Sequence, residues 1–296
     1  MRVAVAPNGP ELSNIVAGMW RLADWQLNIQ ARIRFIEEAL ALGISSFDHA
    51  DIYGDYRCEQ LFGETLKVAP HLKAQIQLVS KCGIKLTSDN HPYQLNHYDT
   101  SAAYVRAQVD ASLANLGVEQ LDLLLIHRPD YLMDAAALAG TFRELQKEGK
   151  VAHFGVSNHS AAQFALLDDQ FPLVTNQLEL SVLEHQSLDD GTLSQCQSKC
   201  IRPMAWSPLG GGRLFSGQDP AALRVRAVLE DLAKEYSCSL ATIAYAWILR
   251  HPSRPLPITG SGRIAALKEA TAALEVRLSN EQWYRLWVAC RGHDVP

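Results

Sequence analysis

Residues 123–127 read LLLIH, an unbroken apolar run that ends directly at His127. A short apolar run without polar alternation indicates a strand buried on both faces, which is typical of parallel sheets. Similar short runs recur along the chain. They cover residues 15–19, 44–47, 76–80, 153–157, 173–177, 201–206 and 256–259. The sequence therefore predicts eight strands.

The segments between these runs have helical periodicity and helix-capping signals. Ile29, Ile33, Ile36 and Leu40 repeat at helical spacing, and Gly43 follows them as a stop signal. Capping residues also predict helix starts at Ser101, at Asp219 followed by Pro220, and at Ser279 with Gln282. Eight strands, most followed by a helix, in 296 residues predict a (β/α)8 TIM barrel. We expect residues 1–296 to form this barrel as a single domain.

A doubly wound parallel sheet is the competing fold. It usually carries a G-x-G-x-x-G turn after its first strand. Here the first predicted strand runs into GMWRLADW, residues 18–25, which lacks that turn.

Composition narrows the classes of function. The net charge is −5 and charged residues make up 20% of the chain, so nothing indicates a nucleic-acid partner or a polybasic membrane patch. No apolar run is long enough to predict a membrane span, and the N-terminus does not resemble a signal peptide. The six cysteines are scattered, which is typical of free thiols in the cytoplasm. Cys196 and Cys200, four residues apart on a predicted helix, lack the further ligands of a metal site.

Four polar side chains follow or end predicted strands. They are Asp48 and Tyr53 in FDHADIYG, Lys81 in VSKCG and His127 in LLLIHRP. The carboxyl ends of barrel strands meet at one face, so these groups can meet there. A lysine cation lowers the pKa of a phenol below its ordinary value of about 10, a carboxylate keeps the lysine charged, and a neutral imidazole can orient a carbonyl oxygen. The set therefore predicts proton delivery to a carbonyl that is being reduced.

The chain resembles the aldo-keto reductase superfamily over residues 12–292, and within it a bacterial branch, the YdhF-type oxidoreductases. The motifs that carry the resemblance are FDHADIYG, CEQLFGETL, VSKCG, LDLLLIHRP, GKVAHFGVSN, NQLEL, WSPLGGGRL and PITGSG, in that order. The resemblance implies a (β/α)8 barrel that uses NADPH to reduce an aldehyde or ketone, without metal or flavin. It implies Tyr53 as the proton donor, supported by Asp48, Lys81 and His127.

The resemblance also implies the cofactor-binding residues. Ser157, Asn158 and Gln177 would bind the nicotinamide carboxamide, and Trp206 stands where the family commonly has a tyrosine stacked on the nicotinamide ring. The pyrophosphate would be wrapped by Ser207, Leu209, Gly210, Gly212 and Arg213. The adenosine end would meet Gly260, Ser261, Arg263 and Glu269, with Ser261 and Arg263 at the 2′-phosphate. Ala270 departs from the asparagine that the family often has beside Glu269.

The substrate pocket is less strongly specified. Trp20 and Trp25 follow the first strand, where the family places an aromatic wall. The long predicted loop over residues 83–100 contains Tyr93, which we expect to close over the substrate as part of a lid.

Two other functions fit parts of this pattern. One is a non-enzymatic NADP(H)-binding module, like the reductase-shaped β subunits of potassium channels. The other is a metal-dependent barrel hydrolase, suggested by Asp48, His49, Asp51 and His127, although the H-x-H pair usual on the first strand of such barrels is missing.

Overall fold

A closed barrel of parallel strands lies at the centre of the protein. The computed structural model describes residues 2–88, 91 and 93–296. Its strands are β1 (Arg2–Ala4), β2 (Glu11–Ser13), β3 (Val16–Gly18), β4 (Ser46–Asp48), β5 (Gln77–Cys82), β6 (Ile84–Lys85), β7 (His97–Tyr98), β8 (Leu121–Ile126), β9 (Val151–Ser157), β10 (Asn176–Glu179), β11 (Met204–Trp206) and β12 (Leu256–Thr259). The barrel has the order β10-β11-β12-β3-β4-β5-β8-β9 and closes on itself, which confirms the predicted (β/α)8 fold.

Helices surround this barrel. They are α1 (Ile29–Ala41), α2 (Tyr53–Tyr56), α3 (Cys58–Val68), α4 (Ala102–Leu116), α5 (Ala135–Lys147), α6 (Ala161–Asp168), α7 (Thr192–Ser198), α8 (Arg213–Ser216), α9 (Pro220–Glu235), α10 (Leu240–Leu249), α11 (Ile264–Ala272) and α12 (Asn280–Arg291). None of the described helices combines the length and the apolar character that a membrane span requires.

The capping signals form as the sequence predicts. The side chain of Ser101 accepts a hydrogen bond from the backbone N–H of Tyr104 at the start of α4. The side chain of Asp219 caps α9, which begins with a proline, and Ser279 forms a full capping box at the start of α12. These side chains satisfy backbone N–H groups that have no partner inside the helix, so they determine where each helix begins.

Two predicted strands begin three residues later than their apolar runs. In the run 173–177, the backbone N–H of Val174 bonds to the carbonyl of Phe154, but regular strand pairing starts only at Asn176. In the run 201–206, Pro203 has no N–H to donate, and β11 starts at Met204. The helix predicted to hold both Cys196 and Cys200 ends at Ser198, so that prediction was wrong for Cys200, which is exposed with a left-handed backbone.

In the described part of the chain, two antiparallel strand pairs lie outside the barrel, and the sequence patterns did not predict them. β1 pairs with β2, and the carbonyl of Val5, directly after β1, accepts a hydrogen bond from Arg202, ahead of β11. This hairpin therefore lies at the face where the barrel strands begin. β6 pairs with β7 inside the predicted lid over residues 83–100, of which residues 89, 90 and 92 lie outside the described part of the chain.

Candidate active site

The barrel brings the four predicted catalytic side chains to one face. Asp48 is the last residue of β4, Lys81 lies near the end of β5, and His127 directly follows β8. Tyr53 lies five residues beyond Asp48, at the start of α2. β4, β5 and β8 are parallel neighbours in the barrel, so their carboxyl ends lie side by side.

The amine of Lys81 links these groups. Its Nζ lies 2.8 Å from Oδ2 of Asp48, 2.9 Å from the hydroxyl of Tyr53 and 2.7 Å from the carbonyl oxygen of His49. The Lys81 side chain is 0% exposed, and that of Asp48 is also buried. Each of the three N–H groups of the ammonium therefore has one acceptor, so the buried ammonium is fully hydrogen-bonded.

Burial and neighbouring charges shift the pKa values of Lys81 and Tyr53 in opposite directions. Burial by itself lowers the pKa of Lys81, but the charge and hydrogen bond of Asp48 and the contact with Tyr53 leave that pKa raised. Burial raises the pKa of Tyr53, and the nearby Lys81 charge lowers it only in part. The sequence predicted a lowered phenol pKa, and the structure corrects that expectation because desolvation of the phenolate outweighs the ammonium. Both groups therefore hold their protons at neutral pH.

His127 lies beside this cluster as a neutral imidazole. Its ring centroid is 5.8 Å from that of Tyr53, in an edge-on arrangement. Burial and the charges of Lys81 and Arg128 hold the pKa of His127 well below its usual range. A neutral imidazole at this position can donate one hydrogen bond to an oxygen without adding a charge to the site.

The chain turns sharply after Tyr53. Gly54, Asp55 and Tyr56 all have left-handed backbone angles, with φ values of 59°, 55° and 62°. The hydroxyl of Tyr56 accepts a hydrogen bond from the backbone N–H of Leu86, which ties this turn to the segment after β6. Left-handed angles are costly for residues other than glycine and are concentrated at functional sites.

A cleft of about 760 Å³ opens on this side of the barrel. Asp48 and Tyr53 line it, and so do Arg263 and Glu269. The other predicted cofactor or substrate residues that line it are Trp20, Trp25, Gln177, Trp206, Ser207, Leu209, Gly212, Gly260 and Ser261. The structure thus brings most of the predicted cofactor residues to one continuous surface.

Two predicted cofactor residues lie beneath this surface in a hydrogen-bonded network. The indole N–H of Trp206 donates to Oδ1 of Asn158 at 2.9 Å. Nδ2 of Asn158 donates to Oγ of Ser157 at 2.8 Å and to the carbonyl of His127 at 3.3 Å. Oγ of Ser157 in turn donates to the carbonyl of Gln177, whose side-chain Nε2 donates to Oδ1 of Asp48. The network therefore connects Trp206 to the carboxylate that binds Lys81.

Three further predicted cofactor or substrate residues do not line the cleft. Arg213 forms a bidentate ion pair with Asp219, at 2.9 and 3.2 Å. Its neighbour Gly210 also lies outside the lining, whereas Gly211, which was not predicted, belongs to it. Tyr93 is not among the cleft-lining residues either; its ring packs against His91 and His97 within the predicted lid, and its role in the substrate pocket stays a prediction.

The cleft also contains residues that the sequence patterns did not indicate. Arg21 lines it with its guanidinium carbon 5.1 Å from the centre of the Trp20 ring, and Phe215 and Tyr245 complete the apolar wall. The sequence did contain a signal for Arg21, because this cation directly follows Trp20 of the predicted aromatic wall. Tyr245 had none, because it lies within the almost wholly apolar helix α10. Among the described residues, no cluster of three His, Cys, Asp or Glu side chains is arranged to hold a metal ion.

Comparison with known proteins finds relatives of this chain in both sequence and structure. A model of the aldo/keto reductase family matches residues 14–288. The oxidoreductase YdhF of Escherichia coli is 48% identical, covering 100% of this chain and 99% of its own. A 6-dehydroglucose reductase of Agrobacterium fabrum is 41% identical, covering 96% of both chains. A solved glycerol dehydrogenase of Gluconobacter oxydans superposes with a TM-score of 0.85 at 23% identity, covering 97% of this chain and 94% of its own, and so shares the fold.

The family match covers the barrel and every strand end that carries a catalytic candidate. The chain therefore belongs to the aldo-keto reductase family of oxidoreductases.

Proposed function

We propose that this protein reduces an aldehyde or ketone to an alcohol with NADPH, using Tyr53 as the proton donor. The observation that carries this proposal is the fully buried Lys81 amine, which lies within hydrogen-bond distance of both Asp48 and the Tyr53 hydroxyl. A bound reduced nicotinamide would supply hydride to the carbonyl carbon. In this proposal residues 1–296 act as one barrel domain.

The side chains divide the proton chemistry among them. Tyr53 keeps its proton at neutral pH and releases it to the substrate oxygen as negative charge develops there. The Lys81 ammonium, 2.9 Å from the same hydroxyl, stabilises the phenolate that remains. Asp48 keeps Lys81 charged and in place, and neutral His127 orients the carbonyl oxygen by a hydrogen bond.

The network around Asn158 suits the amide end of a nicotinamide. The N–H groups of Asn158 and Gln177 are already donated within the protein. Their side-chain carbonyl oxygens keep acceptor capacity, since each oxygen has two lone pairs. An amide NH₂ group would be a complementary donor for this acceptor-rich surface, and the partly buried Trp206 offers an aromatic face next to it.

The far end of the cleft suits a phosphorylated adenosine. Ser261 and Arg263 line it at the start of α11, and both side chains are at least partly exposed. A guanidinium can bind a phosphate with two parallel hydrogen bonds, and the N-terminus of a helix adds a favourable dipole. These residues favour NADPH, which carries a 2′-phosphate, over NADH.

The proton-donor role is tested by Tyr53→Phe, which removes the hydroxyl and keeps the ring. We expect kcat/KM for carbonyl reduction to fall by about 100-fold or more, because general acid catalysis is lost. The rate is measured by NADPH oxidation at 340 nm, and NADPH binding is measured separately by tryptophan fluorescence and should persist.

Tyr284→Phe is the matched control, since Tyr284 lies on α12 away from the cleft-lining residues and is half exposed. Near-normal turnover in Tyr53→Phe would refute the assigned donor. Binding of NADPH by the unaltered protein, without any carbonyl-dependent oxidation, would instead support a cofactor-binding module.

A further inference from the structure

Arg128 directly follows His127 and is half buried at the mouth of the barrel. Its guanidinium carbon lies 5.7 Å from the centre of the Trp206 ring. Within the described part of the chain, this guanidinium donates no hydrogen bond and enters no ion pair. Other partly buried arginines do have partners: Arg226, for example, donates to the carbonyls of Leu214 and Gly217.

The strand order explains how Arg128 reaches Trp206. β8, β9, β10 and β11 are consecutive neighbours in the barrel, so a side chain after β8 reaches past the ends of β9 and β10 to Trp206, the last residue of β11. Trp206 is itself held by its hydrogen bond to Asn158. The indole therefore offers a fixed aromatic surface within cation–π distance of the guanidinium.

The charge of Arg128 acts on the catalytic end of the site. It is one of the charges that lower the pKa of His127, after burial and Lys81. It also acts on Glu179 at the end of β10, where burial and Glu184 raise the carboxyl pKa and Arg128 opposes them. Glu179 is close enough to be influenced by Arg128 but does not form an ion pair with it.

A half-buried guanidinium has lost part of its hydration, and no described residue replaces that hydration with a hydrogen bond. An oxyanion arriving in this position would restore those interactions with two charge-assisted hydrogen bonds. Since Glu179 already offsets part of the positive charge, a singly charged carboxylate fits better than a phosphate dianion.

We propose that Arg128 binds a carboxylate on the substrate, so that the preferred substrates are oxo acids rather than neutral carbonyl compounds. This inference rests on the proposed carbonyl reductase function and names the substrate class for that site. The substrate carbonyl lies at Tyr53 and His127, and its carboxylate lies at the guanidinium beside Trp206. Arg128 is thus a specificity-determining residue.

The test compares two substrates that differ in charge and little in shape, 4-carboxybenzaldehyde and methyl 4-formylbenzoate. We expect kcat/KM with NADPH to be about 10-fold or more higher for the acid, as for a charge-assisted hydrogen bond. In Arg128→Gln that ratio should fall towards one, and in Arg128→Lys it should be intermediate because the charge remains and the fork is lost. Arg106→Gln, on the outer helix α4, is the control and should keep the ratio.

A second measurement does not depend on turnover. Calorimetry with NADP⁺ present should show 4-(hydroxymethyl)benzoate binding more tightly than its methyl ester, and Arg128→Gln should abolish that difference. Equal binding of acid and ester by the unaltered protein overturns the proposal. Equal losses for acid and ester in Arg128→Gln also overturn it, because they indicate a role in cofactor binding or folding. If neither aldehyde is reduced but the binding difference is present, the reductase function fails and the carboxylate site stands.

Discussion

His49, next to Asp48, has a buried side chain whose hydrogen-bonding capacity no described residue meets. Neither ring nitrogen has a hydrogen-bond partner among the described residues, and the ring packs edge-on against Phe62 at 4.6 Å. Burial and the charge of Lys81 lower the pKa of His49 from 6.5 to about 3. Only its backbone carbonyl serves the site, as an acceptor for Lys81. The imidazole therefore makes folding sensitive to pH without an evident catalytic benefit.

The first prediction concerns this sensitivity. The pKa of His49 is lower in the folded state than in the unfolded state, so its contribution to stability is fully present above pH 6.5 and is lost as the pH falls towards 3. Between pH 7.5 and pH 5 the wild type should lose about 2 kcal/mol of unfolding free energy relative to His49→Leu. Urea unfolding of both proteins at each pH measures this difference. Other titrating groups largely cancel in the comparison, and an unchanged difference would contradict the buried neutral imidazole.

We expect the hydrogen bond that Trp206 donates to Asn158 to have a role of its own, apart from that of the aromatic face of Trp206. Trp206→Phe keeps a ring and removes the N–H, so the Asn158 amide loses one of its restraints. We expect the dissociation constant for NADPH to rise about 5- to 10-fold, the effect of one hydrogen bond, with a smaller change in kcat. Fluorescence titration and steady-state kinetics measure the two quantities. Trp287→Phe, whose indole N–H has no hydrogen bond among the described residues, is the control, and an equal loss there would argue against the positioning role.

At the residue scale, the sequence predicted which side chains come together at the site better than it predicted which side chains are hydrogen-bonded to each other. Asp48, Tyr53, Lys81 and His127 could be identified because each follows or ends an apolar run, and the parallel arrangement implies that such ends meet. The bond between Trp206 and Asn158 could not be predicted, because it joins positions 48 residues apart through side-chain orientation. The direction of the Tyr53 pKa shift also required the structure, since it depends on how completely the phenol is buried.

At the scale of elements, the packing of α3 on α4 depends on one glycine. A Cβ at Gly63 in α3 would lie within 1.9 Å of the carbonyl oxygen of Asn115 in α4. Backbone atoms cannot move aside as a side chain can, so the two helices would have to separate. Gly140 in α5 offers the opposite case, since a Cβ there meets nothing within 4 Å.

These two glycines form a matched pair for the next prediction. Gly63→Ala should lower the free energy of unfolding by about 1–3 kcal/mol through overpacking. Gly140→Ala should raise it by about 0.5–1 kcal/mol, because alanine is the better helix former. Denaturant unfolding at neutral pH measures both. A neutral or stabilising Gly63→Ala would show that the helices do not approach as closely as described.

Some boundaries of helices and strands can be predicted from the residues next to them, and others cannot. The caps at Ser101, Asp219 and Ser279 were predictable because each satisfies its own helix within three residues. The starts of β10 and β11 were not, because apolar residues ahead of a strand pack in the core just as strand residues do. Hydrophobicity reports burial, whereas strand pairing depends on the neighbouring strand.

At the scale of the whole molecule, barrel closure joins distant parts of the sequence in one cleft. β12 pairs with β3, so Gly18 and Thr259 both line the same surface. The eight-strand count and the parallel order were predictable from the repeat of apolar runs. The path of the cleft was not predictable from the sequence. It depends on which side chains after each strand turn inwards and which, like Arg213, bind another residue instead.

The last prediction uses this closure. A ligand that spans the cleft contacts loops from both ends of the sequence and binds only the folded barrel, so it must stabilise the protein. At 100 times its dissociation constant, NADPH should add about 2.7 kcal/mol and raise the Tm by roughly 5 °C. At the same concentration NADH should raise it less, since it has no 2′-phosphate for Ser261 and Arg263. Differential scanning fluorimetry measures both shifts.

Arg263→Ala separates phosphate recognition from general cofactor binding. In this variant the Tm shifts with NADPH and NADH should become equal, because the adenosine end then offers both cofactors a similar surface. Arg277→Ala is the control, since among the described residues the Arg277 guanidinium donates only to the nearby carbonyl of Leu274, and it should preserve the difference between the cofactors. If NADPH stabilises the unaltered protein no more than NADH does, Arg263 does not select the phosphate, and the cleft binds either nicotinamide through the end that Gln177 and Trp206 form.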